Sequence, residues 1–255
     1  MNRTRTERQD SILRALAQRP YVRIAELSAQ FGVSESAIRR DFESLAQRGI
    51  VKRTHGGAFA AAPLDAEFPY AVREKRNQAE KVRIGEAAAK LIGPGTAVIL
   101  DAGTTTAEIT RHLPDIWALT VVTNSLIAAY ELLRHPSIGT ILTGGNVGKF
   151  TYSMVGHVAE QMLRSIRVER AFISTGGLTL EQGLTNPNMY EIGVKRAMMA
   201  SAKEVTVVAD NSKLGHVALA PFATLREVHR VITDSGADPE IVERIRGLGV
   251  EVILA

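Results

Sequence analysis

Near the N-terminus apolar residues recur at helical spacing, and beyond Gly95 they change to short unbroken runs. Ile12, Leu13 and Leu16 follow Thr6 and Gln9, which have the spacing of a capping box, and together they predict a first helix. Leu27 and Phe31 are the inward residues of a second, short helix from about Ile24 to Phe31. Ile38, Phe42 and Leu45 form the apolar stripe of a third, which Ser34 can cap and which ends at Gly49. Gly32 sits where a tight helix-to-helix turn needs a positive φ angle. Ser28, four residues earlier, is small enough for a close helix crossing.

The polar positions of this region carry the chemistry. Arg39 and Arg40 project from the outer faces of the third helix, and Lys52, Arg53 and His55 follow in a basic segment closed by Gly56-Gly57. A buried stripe under a donor-rich face is what a helix needs to lie in a DNA major groove. The basic segment suits a phosphate backbone or a minor groove. Ser34 and Ser36 fall near base edges or phosphates in this arrangement, so residues 1–57 read as a winged helix-turn-helix. A small helical bundle with solvated arginines is the plainer alternative.

Residues 58–69, rich in alanine and proline and without amphipathic period, read as a linker, and residues 70–255 as a second domain. A long, charge-dense helical stretch is expected from Tyr70 to Ile92. Seven β-rich runs follow, at Ala97–Leu100, Leu119–Val122, Ile138–Leu142, Ala171–Ile173, Val205–Val208, Val231–Thr233 and Val250–Leu254. They are apolar on both faces, as buried parallel strands are, and alternate with helical stretches. This pattern predicts an α/β fold, a doubly wound sheet that binds its ligand outside the carboxyl ends of the strands. Those ends are Asp101-Ala102-Gly103-Thr104-Thr105-Thr106, Thr123-Asn124-Ser125, Thr143-Gly144-Gly145, Ser174-Thr175-Gly176-Gly177 and Asp210-Asn211-Ser212-Lys213. Glycines let backbone N–H groups approach a ligand, hydroxyls add donors, and helix N-termini favour an anion. Asp101 and Asp210 would accept bonds from ligand hydroxyls, and Lys213 would meet an anionic group. The set suits a phosphorylated sugar or polyol.

Composition narrows the class further. A chain of 255 residues accommodates two domains. It has no cysteine, which removes disulfides and thiolate metal sites and fits a reducing cytoplasm. No stretch approaches ~20 unbroken apolar residues, so no membrane span or membrane partner is expected. The formal charge of +4 is unevenly spread: residues 1–57 hold 11 Lys/Arg against 6 Asp/Glu. The basic excess therefore lies in the proposed DNA head. The six histidines lack ligand spacing, and neither metal nor cofactor is expected.

With both halves read, the chain resembles the DeoR family of bacterial transcriptional regulators over essentially its whole length. The resemblance rests on Arg8-xxx-Ile12, SESAIRRDFESLAQRGIVKRTHGGA, LDAGTTT, VVTNS, the TGG loop, STGGLTLEQGLT and VVADNSK. It implies a winged helix-turn-helix on a C-terminal sensor similar to the ribose-5-phosphate isomerase and glucosamine-6-phosphate deaminase fold. It also implies a sugar-phosphate inducer, homo-oligomers, and repression of a carbohydrate-utilisation operon through double-stranded operator DNA. Ala37 stands where the family often has threonine, and Asn146-Val147-Gly148-Lys149 stands where many members carry a basic residue after TGG.

Three other readings compete. A sugar-phosphate isomerase fused to a DNA-binding head would need a positioned acid or base, yet the loop after the fourth strand has no carboxylate, leaving Glu191. Gly144-Gly145-Asn146-Val147-Gly148-Lys149 imitates a nucleotide phosphate loop, but its glycine spacing is one short and Phe150 replaces the Ser/Thr that would hold Mg²⁺. Alternatively, the C-terminal domain only oligomerises. The expectation is a non-enzymatic cytoplasmic repressor, assembled as a dimer or a multiple of dimers.

Overall fold

The computed structural model describes residues 4–18, 21–47, 50–60 and 70–255. Gly49, expected to end the third helix, and residues 61–69 of the expected linker lie outside the described residues. The chain divides into two units, Met1–Val72 and Arg73–Ala255.

The first unit contains α1 (Arg5–Gln18), β1 (Tyr21–Arg23), α2 (Ile24–Phe31), α3 (Glu35–Gln47), β2 (Val51–Arg53) and β3 (Gly57–Ala60). Ile12, Leu16, Leu27, Phe31, Ile38, Phe42 and Leu45 close into one core, as their spacing predicts. Gly32 adopts a φ of 65° and donates its N–H to the carbonyl of Ser28. Ser28 does more than stay small, because its hydroxyl donates to the carbonyl of Val33 at 2.6 Å and ties the turn. The capping box falls two residues earlier than expected. Thr4 N–H donates to Glu7 Oε2 at 2.8 Å and Glu7 N–H to Thr4 Oγ1 at 3.3 Å, while Gln9 is buried and serves the core. Ala58, Phe59 and Ala60, expected in the linker, form β3, which lies between β1 and β2. The extra partner β1 draws them into the sheet, and Gly57 allows the approach. A Cβ at Gly57 would stand 2.2 Å from the Val22 carbonyl oxygen.

The division between units falls inside α4 (Tyr70–Lys75), and α5 (Gln78–Ala89) follows. The single helix expected from Tyr70 to Ile92 is therefore broken, at Asn77, whose φ is 50°. Asparagine is among the few residues that take this left-handed conformation readily. Lys81 reaches back across the break, with Nζ donating to the carbonyls of Arg73 and Arg76.

The rest of the second unit runs β4 (Ala97–Leu100), α6 (Thr104–Arg111), β5 (Leu119–Thr123), α7 (Leu126–Leu132), β6 (Ile138–Leu142), β7 (Asn146–Val147), β8 (Met154–Val155), α8 (His157–Arg164) and β9 (Val168–Ser174). Then come β10 (Gly177–Thr179), β11 (Gly183–Asn186), α9 (Ile192–Ser201), β12 (Ala202–Val208), β13 (Ala220–Ala223), β14 (Arg230–Thr233), α10 (Pro239–Gly247) and β15 (Glu251–Leu254). The seven expected runs all lie in one parallel sheet, ordered β15-β14-β12-β9-β4-β5-β6. Ile84, Ile109 and Leu132 pack with Leu100 and Phe172 on one face. Leu163, Val194, Met198 and Ile245 pack with Ile99, Ile173 and Val207 on the other, so the fold is doubly wound. The outermost strand β6 departs from the expected two-sided burial: Ile141 and Leu142 are exposed. A small antiparallel sheet, β10-β11-β13, and the hairpin β7–β8 add to the expected elements.

Strand order fixes where a ligand crevice can form. The chain moves outward from β4 to β5 and β6, then returns to β9 on the other side of β4. The connections after β4 and β9 therefore diverge to opposite faces, which makes their carboxyl ends a topological switch point.

Candidate functional site

In the first unit all seven candidate DNA-contacting residues are exposed. Ser34 Oγ accepts the Ala37 N–H at 3.3 Å and lies 2.9 Å from Ser36 Oγ, which places both hydroxyls at the start of α3. Arg39 donates to the His55 carbonyl at 3.3 Å and to Glu35 at 3.3 Å, joining helix to wing. Arg40 Nε reaches the Ser36 carbonyl at 3.3 Å, and Arg53 pairs with Glu43 at 3.3 Å. Such exposed pairs hold by about 0–1 kcal/mol, so phosphates can readily replace them. Lys52 and His55 lie on the same wing.

The residue beneath this surface has no outward chemistry and is not among the sequence candidates. Asp41 is fully buried and takes Arg8 Nε at 2.5 Å, Gln9 Nε2 at 3.4 Å and Arg5 at 3.6 Å. It thus locks α1 onto α3. Its signal in the sequence is an acidic residue next to the apolar Phe42 on the inward side of the helix.

In the second unit the switch point brings Asp101 and Gly103 against Ser174, and Thr104, Thr105 and Thr106 follow as the first turn of α6. Asp101 Oδ2 accepts Ser174 N–H at 2.9 Å, Ser174 Oγ at 2.7 Å and Lys195 Nζ at 2.5 Å. Lys195, from α9, is as buried as Asp101 and also donates to the Ser174 carbonyl at 2.9 Å. It is a cation at the switch point that the sequence reading missed, because in sequence it is only a lysine in an ordinary helix. Asp101 Oδ1 has no partner among the described residues.

Gly103 precedes α6 at its N-terminus, and a Cβ there would stand 2.9 Å from Ser174 Cβ. Thr106 Oγ1 donates back to the Gly103 carbonyl at 3.0 Å, a local capping bond. Thr104 and Thr105 are buried, yet their hydroxyls make no hydrogen bond among the described residues. With the first N–H groups of α6 they form a donor cluster of the kind that takes an anion.

The remaining loops divide into scaffold and rim. Thr123 Oγ1 donates to the Leu100 carbonyl at 2.7 Å, Asn124 Oδ1 accepts Ala102 N–H at 2.8 Å, and Ser125 caps α7. These side chains hold the first loop in place. Gly144 and Gly145 have φ of 74° and 108°, and a Cβ at Gly145 would stand 2.6 Å from the Val155 carbonyl. They turn the chain into the β7–β8 hairpin, and no helix follows them. Gly176 and Gly177 likewise lead into β10, where Gly177 pairs with Thr185 and a Cβ would stand 2.3 Å from the His216 carbonyl.

The fifth loop is a short 3₁₀ turn, Asn211–Lys213, capped by Asp210. Asp210 Oδ1 accepts the Ser212 N–H at 3.1 Å and the Asn77 amide at 2.9 Å. Asn211 in turn bonds Asp234 twice, each at 2.7 Å. Lys213 is half-buried in the electrostatic neighbourhood of Lys81. Burial lowers the Lys81 ammonium from the ordinary 10.5 to about 8, against the opposing pull of Asp210. Elsewhere, both oxygens of Glu191 are engaged, by Ser153 Oγ at 2.6 Å and Asn186 Nδ2 at 3.0 Å. Among the described residues no helix is long and apolar enough to cross a membrane.

Comparison with known proteins joins the two units. Residues 8–63 match the DeoR-like helix-turn-helix domain and residues 76–235 the DeoR C terminal sensor domain. The chain is 35% identical to the HTH-type transcriptional regulator GlpR of Haloferax volcanii, over 97% of this chain and 96% of that one. It is 33% identical to the transcriptional repressor AccR of Agrobacterium fabrum, over 90% of each. Among solved structures, ribose 5-phosphate isomerase A of Methanocaldococcus jannaschii shares 18% identity over 54% of this chain and 55% of that one, with a TM-score of 0.40. A helix-turn-helix head with a basic, exposed third helix, a doubly wound C-terminal unit and matches along nearly the whole length agree: the chain belongs to the DeoR family of DNA-binding transcriptional regulators.

Proposed function

We propose that this regulator is a repressor of a carbohydrate-utilisation operon, acting in the cytoplasm as a dimer or multiple of dimers. A phosphorylated sugar or polyol, bound at the carboxyl edge of the sensor sheet, releases it from operator DNA. The observation that carries the ligand reading is the start of α6. The hydroxyls of Thr104 and Thr105, which make no hydrogen bond among the described residues, stand beside the first helix N–H groups at the switch point. Donors already aimed at one place let an anionic ligand bind with little reorganisation. A phosphate there gains the helix dipole as well. Asp101 Oδ1 offers the acceptor that a sugar hydroxyl needs, and Lys195 holds the second oxygen of Asp101 in place. Gly144, Gly145 and Lys213 form the outer rim of this site.

The state of Glu191 favours a sensor over an isomerase. Its carboxylate is buried and spent on Ser153 and Asn186, so it is not poised to shuttle a proton between adjacent carbons. Calorimetric titration with a panel of sugar and polyol phosphates tests the site. At least one member binds the parent chain, and Thr105→Val weakens that binding at least tenfold, while the dephosphorylated compound binds neither. Equal binding to parent and variant would remove the phosphate from α6.

A further inference from the structure

Asn77 occupies the break between α4 and α5, and its side chain leaves that break to reach the fifth loop. Its amide donates to Asp210 Oδ1 at 2.9 Å. Four residues on, Lys81 Nζ donates to the carbonyls of Arg73 and Arg76, at the end of α4. These contacts lie wholly within the second unit, whereas α4 itself begins at Tyr70 in the first, where Val72 is part of the head's core.

We infer that Asn77 and Lys81 form a clamp fixing the end of α4 to the Asn211–Lys213 turn, and that through it the effector loops and the DNA-bound state bias each other. The inference rests on the reading of the carboxyl edge as the effector site. Asp210 Oδ1 already accepts from Asn77 and from both the N–H and the hydroxyl of Ser212. These exceed the two lone pairs of one oxygen. A ligand hydroxyl competing there displaces Asn77, the one donor of the three that comes from outside the turn. The turn cannot follow freely, because Asn211, next to Asp210, is doubly bonded to Asp234. Ligand binding thus has a discrete consequence at the end of α4: the bond is made or it is lost. The lowered ammonium of Lys81, beside Asp210, Lys213, Arg73 and Arg76, agrees with a group held away from water and sensitive to what happens at Asp210.

Coupling is reciprocal, so the clamp can be tested from the DNA side without any effector. Amide hydrogen exchange is followed in the full chain with and without DNA carrying its own upstream region. In the parent, DNA slows exchange at both 70–77 and 209–214, by about fivefold, the lower end of ordinary coupling. Asn77→Asp keeps the left-handed backbone but sets two carboxylates together, and the response at 209–214 vanishes while DNA is still bound. Adding Asp210→Asn restores a donor–acceptor pair with the roles exchanged, and the response returns. If Asn77→Asp does not fold, Asn77→Gly serves as the broken form. A parent without response at 209–214, a broken form that keeps it, or a double variant that fails to regain it would each overturn the clamp. Failure of the effector reading has another signature, a sugar-phosphate panel that binds nowhere on the chain.

Discussion

Two buried carboxylates set the energetics at the residue scale. Asp41 and Asp101 are each held by a cation from a distant part of the chain, Arg8 and Lys195. Removing one member of such a pair leaves an uncompensated buried charge, at about 3–5 kcal/mol. Asp41→Ala is therefore expected to lower the stability of the head by about that amount, read as a drop in denaturant midpoint. A loss below about 1 kcal/mol would show that Asp41 does not lock α1 to α3. The exposed arginines behave differently. Arg39→Ala and Arg40→Ala should leave stability nearly unchanged and weaken operator binding. A base-reading arginine gives about 1–3 kcal/mol of sequence discrimination, whereas a phosphate contact weakens all sequences alike and lowers the salt slope. If both variants keep the parent's affinity and salt dependence, α3 is not the reading helix.

At the scale of elements, the α4–α5 break makes a pH prediction. In the folded chain Lys81 titrates at about 8, in the unfolded chain near 10.5. Between these values the unfolded chain keeps a proton that the folded chain has released, so the Lys81 contribution to stability rises with pH through that window. Below about 8 both states hold the proton and the penalty of burying the charge is fully present. Denaturation of parent and Lys81→Met at pH 7.5 and pH 10 checks this: the difference between them shifts in the parent's favour at the higher pH. A difference constant over that window would contradict it.

This same stretch marks the boundary of what the sequence discloses. All seven parallel strands were legible, because strands buried on both faces need unbroken apolar runs. Gly32 was legible because the turn requires a positive φ. The break at Asn77 was hidden in a charge-dense stretch with good helix formers on both sides. The true capping pair, Thr4 and Glu7, competed with an equally spaced Thr6 and Gln9, and burial of Gln9 against Asp41 decided between them. At the candidate site the loops could be read from their Gly and Thr content. Lys195 could not, since its partner Asp101 is 94 residues away and nothing local distinguishes it. Gly176 and Gly177 were seen as ligand-approach glycines, while their nearest neighbours are other parts of this chain.

At the scale of the whole molecule, one small head reads a short site and gives modest specificity. Two heads on a symmetric dimer reading two half-sites are expected instead. Light scattering at micromolar concentration should give a dimer or a multiple of dimers, and a monomer that still binds operator tightly would contradict this. The central claim is that a phosphorylated ligand at the start of α6 changes operator affinity. A ligand that binds both states equally shifts nothing, so the claim requires different affinities for the free and DNA-bound forms. The most direct measurement is operator affinity with and without the sugar or polyol phosphate that binds the parent chain, repeated with Thr105→Val at the same concentration. The account predicts a loss of about 5–150-fold in the parent and almost none in the variant, with both holding DNA equally well in the absence of ligand. An operator affinity that the ligand leaves unchanged in the parent, or changes equally in parent and variant, would contradict it.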